Sequence, residues 1–247
     1  MSAEMLIWME VTFNVFYLVV IWGLVITMLR RRHELNPRTR NLADPVIWAF
    51  GLLAIGDTGH VGFRVWGYAV GSLDSTIQIG NLELSLVAIG ALASAITVTG
   101  FYVFMVEAWR RRFNRSYGWF EYFLLACAGL RFILIALPEN NWNSVIPVQP
   151  WSTLRNIPFA ILGLGLAYLI LRDARAESDK TFQWIGISIL ISYACYIPVI
   201  LFIQQVPMIG MLMIPKTLAY VAIGFLAYKE YYYQPAIRKT DEVGALS

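Results

Sequence analysis

Seven apolar runs, each near the ~20 residues that a helix needs to cross a bilayer, dominate this sequence. They are Met5–Leu29, Pro45–Val70, Asn81–Ala108, Trp119–Leu137, Ser152–Leu171, Thr181–Gln204 and Met208–Tyr231. In hydrocarbon every backbone N–H and C=O must find a partner within the chain, and runs this long do so as helices. The predicted fold is therefore all-α, a polytopic seven-transmembrane-helix bundle. Residues 1–233 form the membrane domain, and residues 234–247 form a short polar tail. Charged residues make up 14% of the chain and hydrophobic ones 58%, against about 25% charged in a soluble domain. The first run opens on acidic MSAEML and ends in Arg30-Arg31-Arg32, so it does not read as a cleavable signal peptide.

The basic residues give the bundle a direction. Arg30, Arg31, Arg32, Arg38 and Arg40 occupy the first connection, and Arg110, Arg111, Arg112 and Arg115 the third. Arg172, Arg175 and Lys180 occupy the fifth, while Lys229, Arg238 and Lys239 follow the last run. The second, fourth and sixth connections hold none. By the positive-inside rule the N-terminus is expected outside and the C-terminus in the cytoplasm, in a cell-membrane protein. Trp48, Trp109, Trp119 and Trp184 fall near inner ends, and Trp8, Trp66, Trp142 and Trp151 near outer ends, as interfacial belts do. No block of basic residues interleaved with aromatics lies outside the runs, so nucleic-acid binding has no support.

Fifteen of the nineteen basic residues belong to those connections and the tail. The other four, Arg64, Arg131, Arg155 and Lys216, lie inside apolar runs. Asp57, His60 and Arg64 recur at helical spacing on one face of the second run. Arg131, Arg155 with Asn156, and Glu83 fall in the outer parts of runs four, five and three. Glu10 and Asn14 fall in the outer half of run one. Ionisable residues in a bilayer are costly and face a protein interior or a wet cavity. Their concentration in one half points to a shared, outward-opening pocket. Two structural readings stand beside it. Arg155, Glu83 and Arg131 are near enough to helix ends to snorkel, and Asp57, His60 and Arg64 could merely pin helices together.

Taking Pro207 as a turn puts Lys216 at the depth of Pro198, beside Tyr193 and Tyr196. Pro215 is expected to kink run seven and free a carbonyl near Met211. Run three, rich in Ala and Gly from Ala88 to Ala95, is expected at the centre of the bundle. The fourth connection, Pro138–Asn143, is read as a solvated outer loop anchored by Trp142.

Three functions fit these residues. The first is capture of a small polar or anionic ligand from outside, as in a sensor, receptor or carrier. Arg64, Arg131, Arg155 and Lys216 would supply positive charge, with Asp57, His60 and Glu83 orienting the ligand and Asn156, Tyr193 and Tyr196 lining the site. A sensor of this kind would need a protein partner on the cytoplasmic side. The second is an intramembrane enzyme acting on a lipid or isoprenoid headgroup, with His60 as acid or base oriented by Asp57. The third rests on a resemblance. Cys195-Tyr196-Ile197-Pro198 resembles the Cys-Trp-x-Pro of visual-opsin helix six, and Pro215-Lys216-Thr217 resembles the neighbourhood of its retinal lysine. That resemblance implies retinal on Lys216 as a Schiff base. The Asn-Pro-x-x-Tyr and Asp/Glu-Arg-Tyr motifs of that family are missing, and Leu212 replaces the aspartate of the microbial-rhodopsin Asp-x-x-x-Lys, so the chain is assigned to neither family. No cofactor follows from the residues themselves. Only His33 and His60 are histidines, too few for a zinc site of the usual make-up. Cys127 and Cys195, both in apolar runs, read as small buried hydrophobes.

The orientation is directly testable. A membrane-impermeant maleimide applied to intact cells should label Asn143→Cys and leave Glu177→Cys unlabelled until the cells are opened; the reverse pattern inverts the topology.

Overall fold

The computed structural model describes residues 3–69, 76–79, 82–142 and 147–233. Seven helices in it are long and apolar enough to cross a membrane, which makes the chain a multi-pass membrane protein by length and composition. They are built on α1 (Ala3–Arg31), α2 (Pro37–Ala69), α3 (Leu86–Arg112), α4 (Trp119–Ala136), α5 (Trp151–Ala176), α6 (Lys180–Phe202) and α7 (Met213–Tyr228), the seventh span running from Met208 to Tyr233 through the helical turns on either side of α7. A π-helical turn, Lys229–Tyr233, extends α7. Large apolar side chains such as Trp8, Phe16, Trp48, Ile133, Tyr168 and Trp184 stay exposed on the outside of the bundle. Such a surface is tolerated against lipid and not against water.

Several expectations are corrected. The chain is not wholly helical: β1 (Thr76–Ile79) and β2 (Leu82–Ser85) form an antiparallel hairpin, pairing Gln78 with Glu83 and Thr76 with Ser85. Helix α3 therefore starts at Leu86 rather than Asn81. Ile77 and Ile79 alternate with Thr76 and Gln78, and Leu82 and Leu84 with Glu83 and Ser85, a period of two that the apolar average of the run concealed. Ser85 caps α3 by accepting from the Ala88 amide. Glu83 thus sits on a strand and not in an outer turn of the third helix; its side chain, like that of Glu10, lies outside the described residues, as does the tail 234–247. Nor does Pro215 kink a long helix. A 3-10 segment, Pro207–Leu212, precedes α7, and Pro215 is the third residue of α7. In that first turn a missing N–H costs nothing. Helix α2 begins at Pro37, eight residues before the apolar run, and carries Pro45 inside it.

Helices α2 and α3 pack closest, and glycine makes it possible. A Cβ on Gly90 would lie 2.9 Å from the His60 Cα, and one on Gly59 would lie 3.4 Å from the Ala93 Cβ. α3 also touches α4 and α5, in keeping with its small residues. Between α5 and α6, a Cβ on Gly163 would collide with the Tyr193 ring.

The basic end is knitted into one polar layer. Glu107 binds Arg110 and Arg111, and Arg111 also reaches the Asn41 carbonyl and side chain. Arg112 joins Asp179 to Glu230. Asp173, almost fully buried, accepts from the Trp109 indole and pairs with Arg115 and Arg172. Burial and its hydrogen bond to Glu107 push the Tyr117 hydroxyl up to about 12.

Replacing Gly90 or Gly163 by alanine should cost about 1–3 kcal/mol through overpacking. Thermal unfolding of the purified protein measures this; Gly62→Ala, where nothing lies within 4 Å, is the control expected to be near neutral.

Candidate functional site

Two polar clusters form away from the basic layer, and Lys216 stands between them. The first is built on Asp57. The carboxylate accepts from the Tyr17 hydroxyl of α1 at 2.6 Å and from the Ser94 hydroxyl of α3 at 3.1 Å. Next to it, Thr58 accepts from the Trp22 indole at 2.9 Å, tying the same turn of α2 to α1. Three helices thus converge on one carboxylate, which is how a charged group is held inside a bundle. Tyr17 and Ser94 were not anticipated from sequence: a tyrosine and a serine in apolar runs carry no signal until their helices are placed.

The second cluster is built on Arg131 of α4, which is only 2% exposed. Its guanidinium lies 3.6 Å from the Phe159 ring centroid, a stacking distance. Nη2 donates a long 3.4 Å hydrogen bond to the Asn156 side-chain oxygen, which also accepts from the Tyr196 hydroxyl at 3.0 Å. Nε and Nη1 are buried and have no hydrogen-bond partner. No carboxylate forms a salt bridge with Arg131 among the described residues. Buried polar atoms are satisfied in the great majority of structures, so two orphaned donors on one cation call for a physical reason.

Around them the aromatic hydroxyls are engaged in hydrogen bonds, although the Tyr102–Tyr220 bond uses only one of its two O–H groups as donor. Tyr193 donates to the Phe159 carbonyl, and Tyr102 and Tyr220 bond each other at 3.0 Å. The rings of Tyr102, Phe159, Tyr193, Tyr196 and Tyr220 pack edge-on or tilted at 5–7 Å.

Lys216 of α7 lies 4.4 Å from the Tyr196 ring centroid and 5.7 Å from that of Tyr220. Its ammonium interacts electrostatically with both Asp57 and Arg131. It makes no hydrogen bond among the described residues. The pairing of Lys216 with the tyrosine-rich part of α6 was expected from the spacing about Pro207, and the structure has it. Asp57, Arg131, Asn156, Tyr193, Tyr196 and Lys216 are therefore brought together.

The other predicted residues are placed differently. Arg155, 8% exposed, donates to the Asn140 side-chain oxygen at 2.7 Å and lies 4.4 Å from the Trp142 ring. It thus belongs to the end of the bundle near the fourth connection, within electrostatic range of Arg131. Arg64 lines a separate cleft with Val11, Asn14, Val61, Val65 and Tyr68, between α1 and α2, of about 10 Å³, room for about one water molecule. His60 feels Asp57, Arg64 and Lys216 electrostatically, but its Nδ1 has no partner. Asp57 does not orient it: the hydrogen bonds to that carboxylate come from Tyr17 and Ser94. Among the described residues no hydrogen bond joins Asp57 to His60, so the acid–base pair expected from their spacing is not formed as a hydrogen-bonded pair. Among the described residues no three His, Cys, Asp or Glu side chains gather as a metal site.

Comparison with protein-family models, with curated proteins and with solved structures gives no match.

Asp57 and Lys216 should be coupled through their charges. Asp57→Asn should destabilise the protein by about 3 kcal/mol by leaving a buried cation without its counter-charge. The double variant Asp57→Asn with Lys216→Met should be less destabilised than the sum of the two single changes, measured as thermal unfolding in a double-mutant cycle.

Proposed function

We propose that this membrane protein binds a small anion between α4, α5, α6 and α7, on Arg131 and Lys216. The observation that carries the reading is the Arg131 guanidinium: 2% exposed, stacked on Phe159, and with Nε and Nη1 unpartnered. Burying a charge without a counter-ion costs several kcal/mol, and a bound anion removes that cost. Lys216, from another helix, adds a second cation that makes no hydrogen bond among the described residues, and Asp57 balances only one of the two. Arg155, beside Asn140 and Trp142 at the end of α5, gives a third positive charge on the way in. The fourth connection carries no Lys or Arg, so the positive-inside rule puts this mouth on the outer face of the cell membrane. Sensing, reception and carriage all begin with this binding step.

A second reading keeps one observation in its favour. The Lys216 ammonium lies in an aromatic enclosure within electrostatic reach of Asp57, which is also what a retinal Schiff base and its counter-ion would use. Added all-trans-retinal would then give visible absorbance that Lys216→Ala abolishes.

The anion reading is tested by titrating the purified full-length protein, in nanodiscs of zwitterionic lipid, with sodium acetate, nitrate and phosphate against a sodium chloride reference. At least one should raise the unfolding midpoint saturably. Arg131→Gln and Lys216→Met should each weaken half-saturation about tenfold or more, as loss of a charge-assisted contact does. Equal midpoints in all salts, or shifts unchanged in both variants, would overturn the proposal.

A further inference from the structure

We infer that the anion enters this site together with a proton, and that Lys216 is the group that takes the proton up. The inference rests on the anion-binding reading above and adds how that binding responds to pH.

Lys216 stands where the two polar clusters meet. Its Nζ lies 4.4 Å from the Tyr196 ring centroid and 5.7 Å from that of Tyr220. It makes no hydrogen bond among the described residues. The charges acting on it are one carboxylate, Asp57, and one guanidinium, Arg131, and the two pull in opposite senses. Lysine, unlike arginine, gives up its proton readily when it is taken out of water. An anion bound at Arg131 adds negative charge to these surroundings, and negative charge favours an ammonium over a free amine. Proton and anion arriving together add no net charge to the bundle interior, where an uncompensated charge is expensive.

The other ionisable groups around Lys216 are less suited to take that proton. Arg131 of α4 is a permanent cation, and so is Arg155 of α5 behind it. A phenol keeps its proton below about pH 10. That sets aside Tyr17 of α1, which donates to Asp57, and Tyr193 and Tyr196 of α6, which donate to the Phe159 carbonyl and to Asn156. It also sets aside Tyr102 of α3 and Tyr220 of α7, which bond each other. On α2, Asp57 accepts from the Tyr17 and Ser94 hydroxyls, and His60 is acted on by Asp57, Arg64 and Lys216. These two belong to the other cluster, so the charge of an anion at Arg131 reaches them past Lys216.

Isothermal titration calorimetry on the full-length protein in zwitterionic nanodiscs counts the protons. Acetate, nitrate and phosphate are titrated in Tris and in bis-Tris, cationic buffers whose heats of ionisation differ, between about pH 6 and about pH 9, where acetate stays ionised. Binding is expected to take up a fraction of one proton per anion. Because the anion favours the protonated amine, affinity should fall as pH rises, by at most about tenfold per pH unit, the limit for one linked proton. Lys216→Arg keeps a cation that holds its proton throughout, so whatever affinity it retains should lack both the uptake and the slope. Lys216→Met should lack them too, and His60→Gln should keep them. Phosphate exchanges its own proton in this range, so for that probe the difference between the wild type and Lys216→Arg is what counts. Anion binding by the wild type without proton uptake, or equal uptake in Lys216→Arg, would overturn the inference and leave anion binding intact. Loss of the uptake in His60→Gln would overturn it as well, by moving the proton to the histidine. Absence of binding by every probe, in calorimetry and in thermal unfolding alike, would remove both the inference and the anion reading.

Discussion

A charge inside a bundle of apolar helices is held only if something nearby answers it, and this structure is organised by where those answers come from. At the basic end the answers are other side chains. Asp173, Asp179, Glu107 and Glu230 each meet one or more arginines, and the pairs link the first, third and fifth connections to the end of α7. Around Asp57 the answer is mixed: two hydroxyls donate to the carboxylate, and Lys216 supplies the opposite charge from across the bundle. Around Arg131 the answer is incomplete. An aromatic face and one long hydrogen bond do not satisfy a guanidinium, because a cation–π contact returns about 2 kcal/mol when desolvated and leaves Nε and Nη1 without acceptors among the described residues.

This gradient from closed to open pairing also separates structure from function. The basic layer spends its carboxylates on arginines and holds helix ends together, although Arg40 Nε and the Tyr231 hydroxyl are buried there without a partner among the described residues. Around Arg131, Nε and Nη1 are buried with no acceptor among the described residues. Lys216 connects the two halves of the molecule, since it responds both to Asp57, tied to α1 and α3, and to Arg131, tied to α5 and α6. An anion arriving beside Arg131 would therefore alter the electrostatic setting of Lys216 and, through it, of Asp57.

Much of the architecture was legible in the sequence. Apolar length alone located the seven helices, because a bilayer accepts few other solutions, and the expected starts at Trp119 and Ser152 agree closely with α4 at Trp119 and α5 at Trp151. The hairpin at 76–85 was missed because an averaged hydropathy does not distinguish an alternating strand from the start of a helix. Pro215 was misplaced for a related reason: whether a proline kinks a helix or opens one depends on where the helix begins, and the 3-10 segment before it has no sequence mark of its own. For the site, the buried cations were visible as residues out of place, but their partners were not. Tyr17, Ser94 and Tyr102 are ordinary members of apolar runs until three helices bring them to one point.

The sequence by itself determined that this chain has seven segments long and apolar enough to cross a membrane, and it singled out Asp57, Arg131, Arg155 and Lys216 as charges needing an explanation. Both follow from transfer free energies, which depend on residue type and run length alone. The tertiary structure decided which of those charges are answered. It gave Asp57 to Tyr17 and Ser94, separated Arg64 into a different cleft, and left Arg131 with unused donors beside Lys216. That distinction depends on the rotation of each helix about its axis and on close contacts such as Gly90 against His60, and neither is written in the local sequence.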